Sequence, residues 1–355
     1  MSRSSVLSSG ACIAGFCLSI SRFASVAALA AACLSASAAL AQQQVPPAPQ
    51  AATPQKTPSA PITVPSAPAP STAPVFPKPD PANFTAPAPT TETVDSFLEA
   101  SWGYDTDRVW QVQAILKTPV DGISKVIVFV GDKTGRQKPS AVEFFALPDG
   151  KHIIAGDQII NFGAHPFEDY RQQLQQRADG PFRGSASKDL ELVEFADFQC
   201  PVCKEAQANM DKLAVDFPKA RIVFQNNPIP SIHPEAMNAA EYGVCVDKLG
   251  GSSAFFQYAS AVFEGQQGLS TPDGATLTFN SAVIKAGEDP KKVAACVAEP
   301  ATKAEVEASL KLGSDLGITE VPMLVINGRE VPASAPYETL KKIVEYQARL
   351  DGVTP

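Results

Sequence analysis

The chain has 355 residues, enough for two ordinary domains and a tail, and 45% of them are hydrophobic, enough to build at least one large core. Its formal net charge is −8; without Arg3 and Arg22, the only charged residues of the first 41, the balance is 27 basic against 37 acidic groups. A surface of that sign repels phosphate backbones and argues against nucleic acid as a partner.

Residues 1–41 read as an export signal. Arg3 and Arg22 supply the positive start, a small-apolar run spans Phe23 to Leu34, and Ala39-Leu40-Ala41 has the small-x-small form of a cleavage site before Gln42. The alternatives are an uncleaved membrane anchor, for which the apolar run is short, and a lipoprotein site at Ala31-Ala32-Cys33, which lacks the usual Leu. The stretch before Arg22 is long for a signal, which leaves room for a start further downstream. Cys12, Cys17 and Cys33 would leave with the signal. The mature chain then keeps Cys200, Cys203, Cys245 and Cys296, an even number that suits a periplasmic or otherwise exported, oxidising location.

Fifteen of the 32 prolines lie between Pro46 and Pro89, among Ala, Ser, Thr and Gln. Residues 42–90 are therefore expected to be a disordered, semi-extended linker. Residues 91–165 are expected to form a small α+β domain. The pattern predicts a helix over Thr93–Trp102, with Val94, Phe97 and Leu98 on one face, and strands over Val109–Leu116, Ser124–Val130, Ala141–Ala146 and His152–Ile160. No acid–base or metal constellation stands out there, so its expected role is structural or dimerising. A linker helix follows within 166–183: Phe167, Tyr170 and Leu174 share a face over Phe167–Ala178.

Residues 184–355 read as a second domain. Strands are predicted at Leu190–Ala196, Arg221–Asn226 and Pro322–Asn327, helices at Pro201–Phe217 and Tyr337–Arg349, and a mostly helical stretch from Pro234 to about Gly317. A β-α-β half, a helical insertion and a β-β-α half follow the order of an α/β thioredoxin fold with inserted helices.

The chemistry concentrates in Phe195-Ala196-Asp197-Phe198-Gln199-Cys200-Pro201-Val202-Cys203-Lys204. A Cys-x-x-Cys that ends a strand and opens a helix puts its first sulfur at the helix N-terminus, where unpaired N–H groups and a partial positive charge stabilise a thiolate. Cys200 is thus the expected attacking sulfur. Pro201 suits the first turn, and Cys203, one turn further in, would resolve a mixed disulfide. The competing reading is half of a zinc site. That needs two more ligands, there is no second Cys-x-x-Cys, and His152, His165 and His233 show no paired spacing. Glu194, inside an apolar strand, is a candidate proton relay to Cys203; the alternative is an edge-strand Glu facing water. Asp197, at the strand end, reads as a solvated or turn acid, and His233 as a residue packed at a helix start. Val202 cannot add the positive charge that a His between the cysteines would, which makes Cys200 less acidic than in a Cys-Pro-His-Cys site.

These motifs resemble the DsbA-like branch of the thioredoxin superfamily, the periplasmic disulfide oxidoreductases. The resemblance rests on Val193-Glu194-Phe195 leading into Phe198 to Cys203, on His233-Pro234-Glu235-Ala236 with Ala239-Ala240, and on Val321-Pro322-Met323-Leu324-Val325-Ile326-Asn327-Gly328-Arg329. It implies that Pro322 is a cis-proline facing the cysteines, and that Pro201, Val202 and Val321 contact substrate. It further implies that Cys245 and Cys296 form a structural disulfide, and that Glu194 is a relay acid. More weakly, Leu147-Pro148-Asp149-Gly150-Lys151 leading into Ile159-Ile160-Asn161-Phe162 resembles the N-terminal domain of DsbC-like isomerases, which implies a homodimer through residues 91–180.

The expected function is a thiol–disulfide oxidoreductase that forms or rearranges disulfides in exported proteins, served by a membrane redox partner. It would use no cofactor beyond the Cys200–Cys203 pair and no metal. The alternatives are a periplasmic reductase and a Cu(I)-binding thiol chaperone of the same fold, the latter without Met or His enrichment near the site.

Overall fold

The computed structural model describes residues 76–355, apart from 136 and 137. The apolar stripe Val94, Phe97, Leu98 and Ala100 is the buried face of α1 (Thr91–Trp102), whose N-cap Thr90 accepts from the Thr93 N–H. That face covers an antiparallel meander of β1 (Arg108–Lys117), β2 (Ser124–Asp132), β3 (Ser140–Ala146), β4 (His152–Ala155) and β5 (Gln158–Asn161), in that spatial order. The shared core joins Val94 and Phe97 to Val112, Ile115, Val126, Val128, Phe144 and Phe162.

Two expectations fail in this domain. The run His152–Ile160 is not one strand: Gly156, at φ 63°, turns the chain so that Ile154 pairs with Ile159 across a tight hairpin. The proline-rich linker, expected over 42–90, does not reach Thr90. Pro81–Asn83 forms a 3-10 turn, Phe84 bridges Ile115, and the Thr85 and Ala86 N–H groups both donate to the Ile115 carbonyl. Phe84 and Ala86 pack on the meander core, which is apolar surface enough to order this end of the segment. The export signal and residues 42–75 lie outside the described residues.

In the second half, α2 (Glu168–Arg177) buries Leu174 against Val193 and Phe195, so it is packed on the second domain's sheet as well as linking to it. The sheet comprises β6 (Phe182–Gly184), β7 (Glu191–Ala196), β8 (Arg221–Asn226), β9 (Met323–Ile326) and β10 (Arg329–Pro332), ordered β10-β9-β7-β8-β6. β6 belongs to the span assigned to the linker helix; its three residues pair with β8, so the second domain's sheet begins at Phe182 rather than Gly184. The β9–β10 hairpin turns on Asn327 (φ 44°) and Gly328 (φ 90°), the positive-φ pair that a two-residue turn of this kind needs.

Between β7 and β8 lies α3 (Pro201–Asp216). Between β8 and β9 lie α4 (Ala236–Glu264, broken at Gly251), α5 (Pro272–Lys285), α6 (Pro290–Val297) and α7 (Pro300–Asp315), and α8 (Tyr337–Leu350) closes the domain. This is the thioredoxin arrangement with helices inserted before the last hairpin. Leu192 and Leu324 meet Ala206, Met210, Leu340 and Ile343 on one face of the sheet, while Val193, Phe195 and Val325 meet Leu174, Leu312 and Leu316 on the other. Both faces are covered, so β7 is buried at every position.

Candidate functional site

β7 is the central strand, parallel to β8 and antiparallel to β9, and its C-terminal end delivers the reactive loop. Cys200 is the N-cap of α3, with Pro201 in the first helical position. Its N–H donates to the Asp197 carbonyl (3.1 Å), and its own carbonyl accepts the first helical bond from Lys204 (3.2 Å). The Cys200 sulfur therefore sits where the helix N–H groups and dipole favour an anion. Cys200 is 7% exposed and Cys203 fully buried; the two are present as free thiols. The Asp197 N–H points at Cys203 Sγ, 3.4 Å away. Burial pushes the Cys203 thiol far up, reinforced by the neighbouring Cys200 and Glu194 and opposed by that N–H.

Glu194 is no edge residue. It lies on the α3 side of β7, 3% exposed, and burial raises its pKa to about 7 against the lowering effect of a hydrogen bond from Gln207. Gln207 Nε2 donates both to Glu194 Oε1 (2.8 Å) and to the Cys203 carbonyl (3.2 Å), so one side chain ties the acid to the turn that carries Cys203. The Val321–Pro322 bond is cis. Phe195 pairs with Met323, which sets Pro322 level with Ala196 at the end of the sheet where the reactive loop emerges. Val321 packs against the cluster that holds Cys200 and Cys203, while Pro201 and Val202 are exposed beside them. Cys245 on α4 and Cys296 on α6 are joined by a disulfide.

One sequence expectation is reversed at the site. Asp197 is not a solvated strand-end acid but 1% exposed. Its Oδ1 accepts the Gln199 N–H (2.7 Å), and its Oδ2 accepts the Ile229 N–H and faces His233 Nδ1, both at 2.8 Å. The chain after β8 folds back over the acid and takes it out of water. Sequence reasoning also missed three glutamines. Gln207 had a signal, four residues after Cys203 on the same helix face. Gln199, bonded to the Leu269 carbonyl and the Glu235 N–H, and Gln266, bonded to the Phe198 and Cys200 carbonyls, had none.

A thiol pair at a helix N-terminus, a buried acid behind it and a cis-proline at the same sheet end make thiol–disulfide exchange the chemistry this arrangement can perform. Residues 176–346, just under half of the chain, match the family model described as thioredoxin. Among solved structures, the catalytic domain of Proteus mirabilis ScsC is similar over 50% of this chain and 98% of that one, at 22% identity and a TM-score of 0.42. The thiol-disulfide exchange protein alpha-DsbA2 from Wolbachia pipientis is similar over 50% and 96%, at 20% identity and a TM-score of 0.44. A stretch of 59 residues is 39% identical to the Na(+)/H(+) antiporter NhaA 3 of Salinispora tropica; it is 17% of this chain and 9% of that protein, so only a small part of that relative is matched. Among the described residues, no helix is long and apolar enough to cross a membrane.

Proposed function

We propose that the protein forms or rearranges disulfides in exported client proteins through Cys200 and Cys203. The observation that carries this reading is the pairing of an N-terminal helix thiol with a buried one linked through Gln207 to Glu194. In the oxidising direction a client thiolate attacks Cys200 Sγ of the Cys200–Cys203 disulfide. The enzyme S–S bond breaks, a client–Cys200 bond forms, and Cys203 leaves with the electron pair. Glu194, with a pKa of about 7, is the donor for the proton that Cys203 then takes up. A second client thiolate attacks the client sulfur of the mixed disulfide, closes the client bridge and releases Cys200 as a thiolate held by the helix N-terminus. Two electrons have passed from client to enzyme, and a membrane redox partner removes them. In rearrangement the Cys200 thiolate of the reduced enzyme attacks a client disulfide, a client–Cys200 bond forms and one client thiolate leaves; a different client thiolate then attacks the client sulfur of that mixed disulfide, closes a new client bridge and releases Cys200 as a thiolate, with no net transfer of electrons.

In this reading no cofactor is needed beyond the cysteine pair, and Pro201, Val202, Val321 and Pro322 bear on an extended client segment. Export to the periplasm is supported by the composition of residues 1–41 and by the even number of cysteines downstream of it, two of them bridged. The far edge of β5 is unpaired among the described strands, which supports a homodimer through residues 91–180 that would set two sites over one client.

The test is a pair of variants. Cys200→Ser should abolish both dithiol oxidation and insulin reduction, whereas Cys203→Ser should accumulate client adducts on non-reducing gels that disappear with dithiothreitol. Two variants that behave alike, without adducts, would mean that the attacking and resolving roles are misassigned.

A further inference from the structure

Asp197 lies three residues before the attacking cysteine and pairs with His233, and neither has a part in the exchange as written above. Asp197 is a buried carboxylate with four polar neighbours in one place: the N–H groups of Gln199 and Ile229, the ring of His233, and, through its own backbone N–H, Cys203 Sγ. His233 is less enclosed, with 16% of its side chain exposed, and closes the turn in which its own N–H and that of Ile232 donate to the Ile229 carbonyl. Both ends of this turn, Ile229 and His233, are thus fastened to a single carboxylate oxygen. A second fastening lies alongside, where Gln199 Oε1 accepts the Glu235 N–H at the entrance to α4. Cys200 shares one backbone bond with Asp197, its N–H on the Asp197 carbonyl, and is held besides by the Gln266 bond to its carbonyl and by the first turn of α3.

We propose that Asp197, oriented by a hydrogen bond from His233, is a positioning residue that keeps a backbone N–H on the sulfur of Cys203 and so makes Cys203 a competent resolving thiolate. The proposal rests on the oxidoreductase reading and deepens it. Cys203 is the sulfur that needs such help. It is buried away from the helix N-terminus that serves Cys200, and the Asp197 N–H is the one hydrogen bond that favours its charged form. The peptide that carries this N–H is held on its other side by the Asn227 N–H on the Ala196 carbonyl, and the Asp197 side chain adds the second hold, each oxygen of its carboxylate being committed to a donor. Asparagine would turn an amide N–H towards one of those donors and break the arrangement. The step affected is attack of the Cys203 thiolate on Cys200 Sγ of a mixed disulfide: the Cys200–Cys203 bond forms, the bond to the departing sulfur breaks, and that sulfur leaves as a thiolate.

The experiment mixes the reduced mature chain with 5,5′-dithiobis(2-nitrobenzoate), whose nitrothiobenzoate is released once on attack by Cys200 and once on resolution by Cys203. The variants are Asp197→Asn, His233→Ala and His233→Asn, the last keeping an amide N–H near the place of Nδ1. His233→Ala and Asp197→Asn should slow the second release at least fivefold and the first less than twofold, and His233→Asn should recover most of the second rate. An unchanged second phase in His233→Ala overturns the proposal. So do equal losses in both phases, which is what a merely loosened site would produce, and an Asn variant as slow as Ala, which would show that the ring bond is not the operative contact. If Asp197→Asn fails to fold, the two His233 variants decide the matter alone. A wild-type chain that releases nothing overturns the oxidoreductase reading itself, and this proposal with it.

Discussion

Glu194 is a carboxyl group held inside a strand, and its burial has a sign that can be measured. In an unfolded chain it titrates near 4.5, in the folded protein at about 7, so the fold binds its proton more tightly. The cost of ionising it is absent below pH 4.5, grows as the pH rises and is complete above about 7. Glu194→Gln removes that cost while its amide oxygen can still accept from Gln207. Between pH 5 and pH 8 the variant should therefore gain roughly 3 kcal/mol on the wild type, read from urea midpoints of the reduced protein. A constant difference across that range would mean that the carboxyl is solvated. Resolution by Cys203 should also rise through about pH 7 in the wild type and lose that inflection in the variant, because only the ionised acid can accept the thiol proton. This residue was legible in the sequence because an acid flanked on both sides by apolar pairs, Leu192-Val193 and Phe195-Ala196, has few ways to reach water. Asp197 was not. The same run merely ends at it, and what buries it is a turn more than thirty residues further on, which no local periodicity announces.

Among the elements, the helical insertion is where pairing and packing had to come from the structure. Its helices start where Thr271-Pro272 and Asp289-Pro290 cap them, signals present in the sequence, but the break in α4 at Gly251 follows from one backbone position at φ 75°. The Cys245–Cys296 bridge spans 51 residues and ties α4 to α6 beside Thr302, whose hydroxyl donates to the Cys296 carbonyl. A loop of that length should contribute roughly 4 kcal/mol in the chain-entropy account. Replacing both cysteines with alanine should lower the unfolding free energy by about that amount while the Cys200–Cys203 pair still cycles. A loss below about 1 kcal/mol would indicate that the reduced, unfolded chain is already constrained there. The hairpin of β4 and β5 had a signal that a single-strand reading passed over, the Gly156-Asp157 turn between two short apolar runs. β6, three residues long, is too short to carry any periodicity at all.

At the scale of the molecule, a buried cation is a principal fastening between the first domain and the second. Arg329, on β10, donates to the carbonyls of Ala100 and Ser101 at the end of α1 and to Gln347 of α8, and lies 4.2 Å over the Phe167 ring. Burial lowers its pKa to about 10, so it stays charged at neutral pH, facing the negative end of a helix. Tyr346 adds a bond to the Glu99 carbonyl. The first domain thus covers its helix end against the catalytic domain. Arg329→Met should leave two helix-terminal carbonyls without a donor, cost about 2 kcal/mol and raise hydrogen exchange across 91–102; unchanged protection there would mean that the contact holds nothing together. The Asn327-Gly328-Arg329 run was visible in the sequence as part of a motif, but the arginine's partner lies more than two hundred residues away, beyond any local reading. The central claim, that this molecule forms or rearranges disulfides, is tested most directly by the reduction potential of the Cys200–Cys203 pair, measured by equilibrating the mature protein against glutathione buffers. The expected value lies above about −230 mV, where the pair can take electrons from client dithiols; a value at or below about −270 mV, the range of a dedicated reductant such as thioredoxin, would contradict it.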